Sequence, residues 1–545
     1  MKRLFTLAAI LLSGSLQAQK DSANTFSNRA YDLYLKGDYC NAFMWYEKTF
    51  EYQKVNYPLY QAAVCACQCG QPAKALKYFN EFVEHGGDFY NYEFFVNDTA
   101  ANCLKATPDW KAAMASFKIP YDSVQAATQA YYASITDTTN RLNRSELTDT
   151  AAWRKRAAGM PFPALYRSIR QFNQYQRPPK TGHWTLYDIR VNDTLMVPFL
   201  VYIPATYRPN RPTPLYLFLQ GAVSYRSSFA VKGQPAIYEK GVIEKPMEQN
   251  AFILYPFARK DINWLYHPAA FKAIEDEIAF LKSLYNIDDN KVYATGHSDG
   301  GRGVFWLAIN RPAPFAAFLG LNYFPSIILG NTSLGNLRNT QRFYGISGTE
   351  DHLFKKEMIS SIYNYSREIG ANWYNQLVPG SHSLPYNTPS PIRFIYDSLI
   401  NQRRDPFPRQ LQWQTDNTLN GRYYWMQIAQ LDTLATPSSW HVNHNPTVPG
   451  KNDKRDTLNY NRRRSGAIMA NISNNRVYIH TSRVKEIIFY AYPDLVDLSK
   501  PVTFYINEKP AYTVTLQSDR EVLLQDFLKN KDRRLLPAAR INIVL

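Results

Sequence analysis

Residues 291–304 read KVYATGHSDGGRGV. Val292-Tyr293-Ala294 is a short apolar run suited to a buried strand, and Gly296-His297-Ser298-Asp299-Gly300-Gly301 follows it. Beyond the glycines, Val304, Phe305, Leu307, Ala308 and Ile309 recur at roughly helical spacing. Strand, tight turn and helix form the setting in which the serine of a G-x-S-x-G motif is raised above a sheet as a nucleophile. The spacing has a steric reason. A serine held on so sharp a turn brings the residues two before and two after it against neighbouring backbone, and Gly296 and Gly300 carry no side chain to collide. The N–H of Asp299 falls at the start of the helix, where it can face an oxyanion. A bare G-x-S-x-G also occurs in ordinary glycine-rich turns, so its partners decide the reading.

Two partners follow. Phe343-Tyr344-Gly345-Ile346-Ser347-Gly348-Thr349-Glu350-Asp351-His352 runs from an apolar strand into a turn that carries a carboxylate. Leu377-Val378-Pro379-Gly380-Ser381-His382 is another strand and turn, carrying a histidine. A serine hydroxyl is a poor nucleophile at neutral pH. His382 would take its proton and return it to the leaving group, while Asp351 would fix the imidazole tautomer and stabilise the imidazolium. Glu350 is the alternative acid. His297 is expected to pack against the sheet, and His352 to cap or pack. The order Ser298, Asp351, His382 is that of the α/β-hydrolase fold.

Residues 185–400 resemble a secreted α/β-hydrolase of the esterase type, similar to dienelactone-hydrolase-like, feruloyl-esterase-like and polyhydroxybutyrate-depolymerase-like enzymes. Gly-His-Ser-Asp-Gly-Gly at 296–301, Ser-Gly-Thr-Glu-Asp at 347–351 and Pro-Gly-Ser-His at 379–382 carry the resemblance. It implies hydrolysis of carboxylic esters through an acyl-enzyme, without a cofactor or a metal. Those families usually show His-Gly-Gly or His-Gly-Cys after the third strand. This chain has Leu217-Phe218-Leu219-Gln220-Gly221-Ala222, with Gln220 in place of the histidine. The backbone N–H of Ala222, or of a neighbour, is the matching oxyanion donor beside that of Asp299.

The flanking sequence agrees with a parallel sheet. His183-Trp184-Thr185-Leu186-Tyr187 and Met196 to Tyr202 alternate as two strands about an Asn192-Asp193 turn. Leu215–Leu219 and Ala251–Tyr255 are continuous apolar runs, as strands buried on both faces should be. Phe271, Ile274, Ile278, Leu281 and Leu284 share one face of a helix between strands. Trp264 follows a strand end, where ligands bind in open α/β sheets, and is expected either to stack on substrate or to pack. Tyr323, after another strand, is expected to line the pocket.

The 545 residues suffice for about three domains. Residues 1–18 read as a signal peptide: Lys2 and Arg3, then the apolar Leu4–Leu12, then a small polar stretch ending at Ala18. No later apolar run approaches the ~18 residues that span a bilayer. An exported chain, periplasmic or extracellular, is expected. Residues 19–117 carry an internal repeat: Gly37 and Gly70 are 33 residues apart, as are Ala42 and Ala75. Small residues at helix contacts with a glycine turn between them resemble tetratricopeptide-type pairs, expected either to bind a protein partner or to cap the enzyme. Residues 118–182 read as a helical, polar connector, 183–402 as the catalytic domain, and 403–545 as a β-rich accessory domain. In that last part Tyr423–Ile428, Arg476–Thr481, Glu486–Tyr490, Val502–Ile506 and Tyr512–Leu516 suggest a sandwich, and 436–466 a long loop. Trp413, Trp425 or Trp440 could bind carbohydrate there, unless the domain is structural.

The fold class expected is therefore multidomain: an α-helical repeat, a doubly wound, mostly parallel α/β-hydrolase sheet, and an all-β sandwich-like domain. The net charge of +17 is dispersed, and Arg462-Arg463-Arg464 is its one dense run. Such a surface attracts acidic polymers, and with export it gives no reason to invoke nucleic acid. All five cysteines precede residue 104. Cys65, Cys67 and Cys69 lack the pairs or histidines of a metal site and are expected as small core residues; Cys40 or Cys103 could form a disulfide whose pairing the sequence does not give. The expected substrate is a small-molecule or polysaccharide-linked acyl ester. Two rival readings stand beside the esterase: a serine peptidase of the prolyl-oligopeptidase type, and a catalytically silent hydrolase-like scaffold.

Overall fold

The computed structural model describes residues 26–136, 150–224, 228–229, 240–383, 390–450 and 454–545, less positions 28, 32, 35, 53 and 55. The expected signal peptide lies outside them. Two compact units result, Met1–Tyr131 and Tyr132–Leu545.

The first unit is helical, with α1 (Tyr39–Phe50), α2 (Asn56–Gln68), α3 (Pro72–Glu84) and α4 (Pro108–Ile135). The two glycines spaced 33 apart make the same turn. Gly37 and Gly70 both have positive φ, and the next N–H in each case reaches back to close the helix before it, Asp38 to the Leu33 carbonyl and Gln71 to that of Ala66. Ala42, Ala62, Ala66 and Ala75 are fully buried, so the helices pack across small side chains. Cys65 is a core residue as expected, and Cys67 and Cys69 are not. Cys40 pairs with Cys69 and Cys67 with Cys103, and only Cys65 is a buried free thiol. Cys67, two residues from each of Cys65 and Cys69, faces away from them, which fits its separate partner.

The second unit is built on an eight-stranded mixed sheet of β1 (His183–Arg190), β2 (Met196–Ile203), β3 (Thr213–Leu219), β4 (Phe252–Pro256), β5 (Ile287–His297), β6 (Ala317–Leu321), β7 (Phe343–Gly348) and β8 (Trp373–Val378). Their order is β1-β2-β4-β3-β5-β6-β7-β8. β2 is antiparallel to both neighbours, and the strands from β4 to β8 run parallel. Side chains alternate between two cores. Leu215, Leu217, Leu254, Val292 and Ala294 enter one; Tyr216, Phe218, Ile253, Tyr255 and Tyr293 enter the other. Helices from Pro268–Leu284 and Asp299–Asn310 cover the first face, through Phe271, Ile274 and Val304; those from Lys240–Glu248 and Ser390–Asn401 cover the second, through Ile243, Ile395 and Leu399.

The C-terminal region holds two further sheets around a shared core. One contains Arg422–Tyr423, Met426–Leu431, Val484–Ala491 and Ala539–Val544; the other contains Lys509–Val514, Val502–Ile506, Arg476–Ser482, Gly466–Ser473 and Gln410–Thr415. Three expectations are corrected here. Tyr423–Ile428 is not one strand but a tight hairpin, turned at Tyr424 with φ 49°. Trp413 and Trp425 are fully buried core residues, closed to any sugar, while Trp440 is half-buried. The region is not all β, because Arg520–Asn530 is a helix whose first turn is capped by the Asp519 carboxylate. The expected long loop contains a small hairpin, Thr447–Pro449 with Arg455–Thr457, and its Val448 and Tyr460 are buried in the core of the large sheet. A charged cluster is buried nearby: Lys282 and Arg533 hold Asp289, and Arg404 holds Asp532. The connector is more than polar, since Trp153, Leu165 and Ile169 pack against Leu523 and Phe527 of the C-terminal helix.

Candidate active site

The site is assembled at the carboxyl ends of β5, β6, β7 and β8. At the end of β5 the chain turns through Ser298, with φ 55° and ψ −118°, and enters the helix Asp299–Asn310 directly. A non-glycine residue in that region is strained, and the packing around it holds the turn in place. Two backbone approaches enforce the glycines. A side chain at Gly296 would meet the Gly300 carbonyl oxygen at 2.5 Å, and one at Gly300 would meet the Leu219 carbonyl oxygen at 1.9 Å.

His382 lies between the other two residues. Its Nδ1 is 2.8 Å from Asp351 Oδ2, and its Nε2 is 2.9 Å from Ser298 Oγ. A carboxylate only accepts, so Nδ1 carries the proton and Nε2 is left to accept from the serine hydroxyl. Asp351 is buried, and its second oxygen accepts the N–H groups of Leu353 and Phe354. Three donors thus fix one carboxylate. Glu350, the alternative acid, points to solvent. His352 is exposed and Phe354 packs edge-on against the His382 ring.

The oxyanion candidates lie beside the serine. Asp299 begins its helix, so its N–H has no intrahelical acceptor. Ala222 has φ 57° in the loop after β3, and a side chain on Gly221 would come within 2.9 Å of Ser298 Cβ. The Asp299 side chain has a second task that sequence reading missed: its Oδ2 accepts the Val223 N–H at 3.0 Å and ties the loop to the serine turn. Gln220 is buried, its amide oxygen accepting from the Tyr255 hydroxyl at 3.3 Å.

Trp264 and Tyr323 are corrected. Both are buried, at 2% and 0% exposure, so neither presents an open ring face to a ligand. They lie under the helix that follows Ser298. A Cβ at Gly303 would strike the Trp264 ring and one at Gly301 would strike Tyr323 Cβ, so these glycines let the helix settle on the two rings. In a sheet covered on both faces, an aromatic just past a strand end is as readily taken into the core as offered to a ligand.

Asn322 was not anticipated. It follows β6, is 1% exposed, and has φ 42°. Its Nδ2 donates to the Ser381 and His382 carbonyls at 3.0 and 2.6 Å, and its Oδ1 accepts the Gly348 N–H at 2.8 Å. Its neighbour Leu321 accepts the Ser298 N–H at 2.9 Å. Two consecutive residues therefore touch all three turns that carry Ser298, Asp351 and His382. The signal in the sequence was an asparagine directly after an apolar strand, a residue that tolerates positive φ. His297 adds a bond, its Nε2–H donating to the His382 carbonyl at 3.0 Å. Burial, and then the neighbouring His382, push its pKa down to about 4, which keeps it a neutral donor.

No protein-family model matches the sequence, and no curated protein does. Several solved structures are similar to part of the chain. A thermostable esterase matches at 20% identity and a TM-score of 0.34, over 41% of this chain and 63% of its own. A fluorophosphonate-binding serine hydrolase of Staphylococcus aureus matches at 14% and 0.32, over 41% and 100%. Esterase 2 of Thermogutta terrifontis matches at 13% and 0.34, over 41% and 97%. The chain thus spans less than two thirds of the first of these.

Proposed function

We propose that the protein is a serine hydrolase that cleaves carboxylic esters through an acyl-enzyme. The observation that carries this reading is the continuous hydrogen-bonded line from Asp351 through His382 to Ser298. On binding, the ester carbonyl would lie against Ser298 Oγ. His382 Nε2 takes the serine proton as Oγ attacks, and the imidazolium is stabilised by Asp351. The carbonyl oxygen gains negative charge as the tetrahedral intermediate forms, and on this reading the Asp299 and Ala222 N–H groups would receive it. Collapse expels the alcohol, protonated from His382, and leaves the acyl group on Ser298. A water molecule, deprotonated by His382, then releases the acid and restores the serine.

We further propose that the chain is exported. The pairs Cys40–Cys69 and Cys67–Cys103 support this, because such bonds persist in oxidising compartments.

The test is labelling by a fluorophosphonate, followed by turnover of a panel of acyl esters and of prolyl peptides. Wild type is expected to label and to turn over esters. Ser298→Ala and His382→Ala are expected to fail at both, with turnover down by about 10⁴-fold or more. Absence of labelling in folded wild-type protein would discard the reaction, and cleavage of peptides alone would replace the esterase by a peptidase.

A further inference from the structure

Two cavities open at the amino ends of the strands, at the opposite end of β5 from Ser298. One, of about 550 Å³, is lined by five arginines, Arg167, Arg170, Arg403, Arg533 and Arg534, and by only two carboxylates, Asp288 and Asp289. The other, of about 450 Å³, has three cations, Arg156, Lys282 and Lys531, and no carboxylate. They share Phe172 on their linings and so adjoin. Both fall in the size range of ligand pockets, ~300–1,000 Å³.

Much of this charge is already matched. Arg533 donates to Asp289 and to the Asn286 amide oxygen, and Arg170 is held by Asp494. Arg403 reaches Asp288 at 3.3 Å. Lys282 is held by Asp289 as well. Arg156, Arg167 and Arg534 have no carboxylate partner among the described residues, and all three are exposed. Arg156 lies over the Trp153 and Phe172 rings and donates to the Gln174 amide oxygen.

We infer that these adjoining cavities bind an acidic oligosaccharide, a chain of sugars bearing carboxylates. Unmatched guanidiniums recognise a carboxylate in a paired, planar fashion. The amides of Gln171, Asn173, Gln174, Gln176 and Asn210 stand among them, and amides suit hydroxyl groups. A nucleic acid is the poorer fit, because its bases need open ring faces on which to stack. Here Trp153 is 4% exposed and one face of Phe172 is covered by Arg156. The site is remote from Ser298, and the inference does not depend on the reaction proposed there.

The test is calorimetric titration of the full chain with a galacturonate hexamer, a neutral hexasaccharide, and a single-stranded DNA of equal charge. Arg167→Ala/Arg534→Ala is compared with Arg462→Ala/Arg463→Ala, which removes the same charge from exposed positions elsewhere. Both pairs replace exposed side chains, and unchanged thermal unfolding checks that both variants fold. Wild type is expected to bind the galacturonate hexamer and not the neutral one. The first pair should weaken binding about tenfold, and the second less than twofold. Equal losses in the two pairs would reduce the effect to bulk charge and overturn the site. So would the absence of binding by wild type, or a preference for DNA.

Discussion

Replacing Asn322 by glycine isolates what its amide does. Glycine accepts the φ of 42° without strain, so the backbone need not move for its own sake. Three buried hydrogen bonds disappear, at 2.6, 2.8 and 3.0 Å. The His382 carbonyl keeps its bond from His297, but the Ser381 carbonyl and the Gly348 N–H lose the one side-chain partner they have among the described residues. At about 1–1.5 kcal/mol for each lost bond, the expected destabilisation is about 3–4.5 kcal/mol. The catalytic effect should be larger than a stability change alone would give. The amide sets the spacing between the turn before Asp351 and the turn of His382, and a ~1 Å misplacement of a reacting group can cost about 10²-fold. The second-order rate of fluorophosphonate labelling, measured well below the unfolding temperature, should therefore fall about 100-fold, while urea unfolding reports the stability loss separately. A variant that loses the expected stability yet labels within twofold of wild type would refute the reasoning. Asn322 would then hold the fold together without setting the position of His382.

Asp299→Ala should cut ester turnover by roughly 10- to 100-fold by releasing the Val223 loop, and Asp299→Asn, which keeps an accepting oxygen, should recover most of it; equal losses in the two variants would remove the tether from the mechanism. Glu277 is fully buried, both carboxyl oxygens lack a hydrogen-bond partner among the described residues, and burial raises its pKa well above the carboxylate range. The folded state thus holds this proton more tightly than the unfolded chain: its contribution is present below about pH 4 and is lost as pH rises toward the folded value, so Glu277→Leu should be more stable than wild type by about 1–3 kcal/mol at pH 8 and less so at pH 4, read by urea unfolding at both. Alkylation of the denatured, unreduced protein should modify only Cys65 of the five cysteines, and reduction should destabilise the helical unit by about 3 kcal/mol for each bond. A chain ended at residue 402 would leave Lys282 and Asp289 buried without Arg533 and uncover the sites of Val448 and Tyr460; it should be insoluble, and a soluble fragment that labels with fluorophosphonate would contradict this.

What the sequence made legible is what rests on local rules. The serine turn could be read because its strand, glycines and helix are contiguous and each has a steric reason. The order of Ser298, Asp351 and His382 could be read because each sits where a strand runs into a turn. Asn322 could not, because its work lies in bonds to residues 26 and 60 positions away, and an asparagine at a strand end has many uses. Trp264 and Tyr323 were misplaced for a related reason. Position after a strand marks the correct end of the sheet, but whether a ring faces substrate or core depends on how closely the next helix approaches, and Gly301 and Gly303 set that approach. The helix Arg520–Asn530 did carry a signal, since Asp519 precedes it and Leu523, Leu524, Phe527 and Leu528 recur at i,i+4.

The C-terminal region shows where reading by segment fails. Its strands alternate like those of an independent sandwich, and its inner residues do form their own core. Yet the stretch that looked least ordered, Pro- and Asn-rich and strongly basic, supplies Val448 and Tyr460 to the core of the large sheet. Tyr460 ends with its hydroxyl donating to the Pro325 carbonyl at 2.6 Å, in the loop that follows Asn322. Asn331 in that loop exchanges two bonds with the backbone of Arg463. Arg302, one helical turn beyond Ser298, donates from Nε to the Ser326 carbonyl of the same loop. The loop after β6 is thus held from below by the serine helix and from the side by the C-terminal chain. The loop that Asn322 begins is thus fastened at its other end, and the chain that fastens it lies more than a hundred residues away in sequence. Geometry at Ser298 is therefore a property of the whole second unit rather than of the segment that contains the motifs.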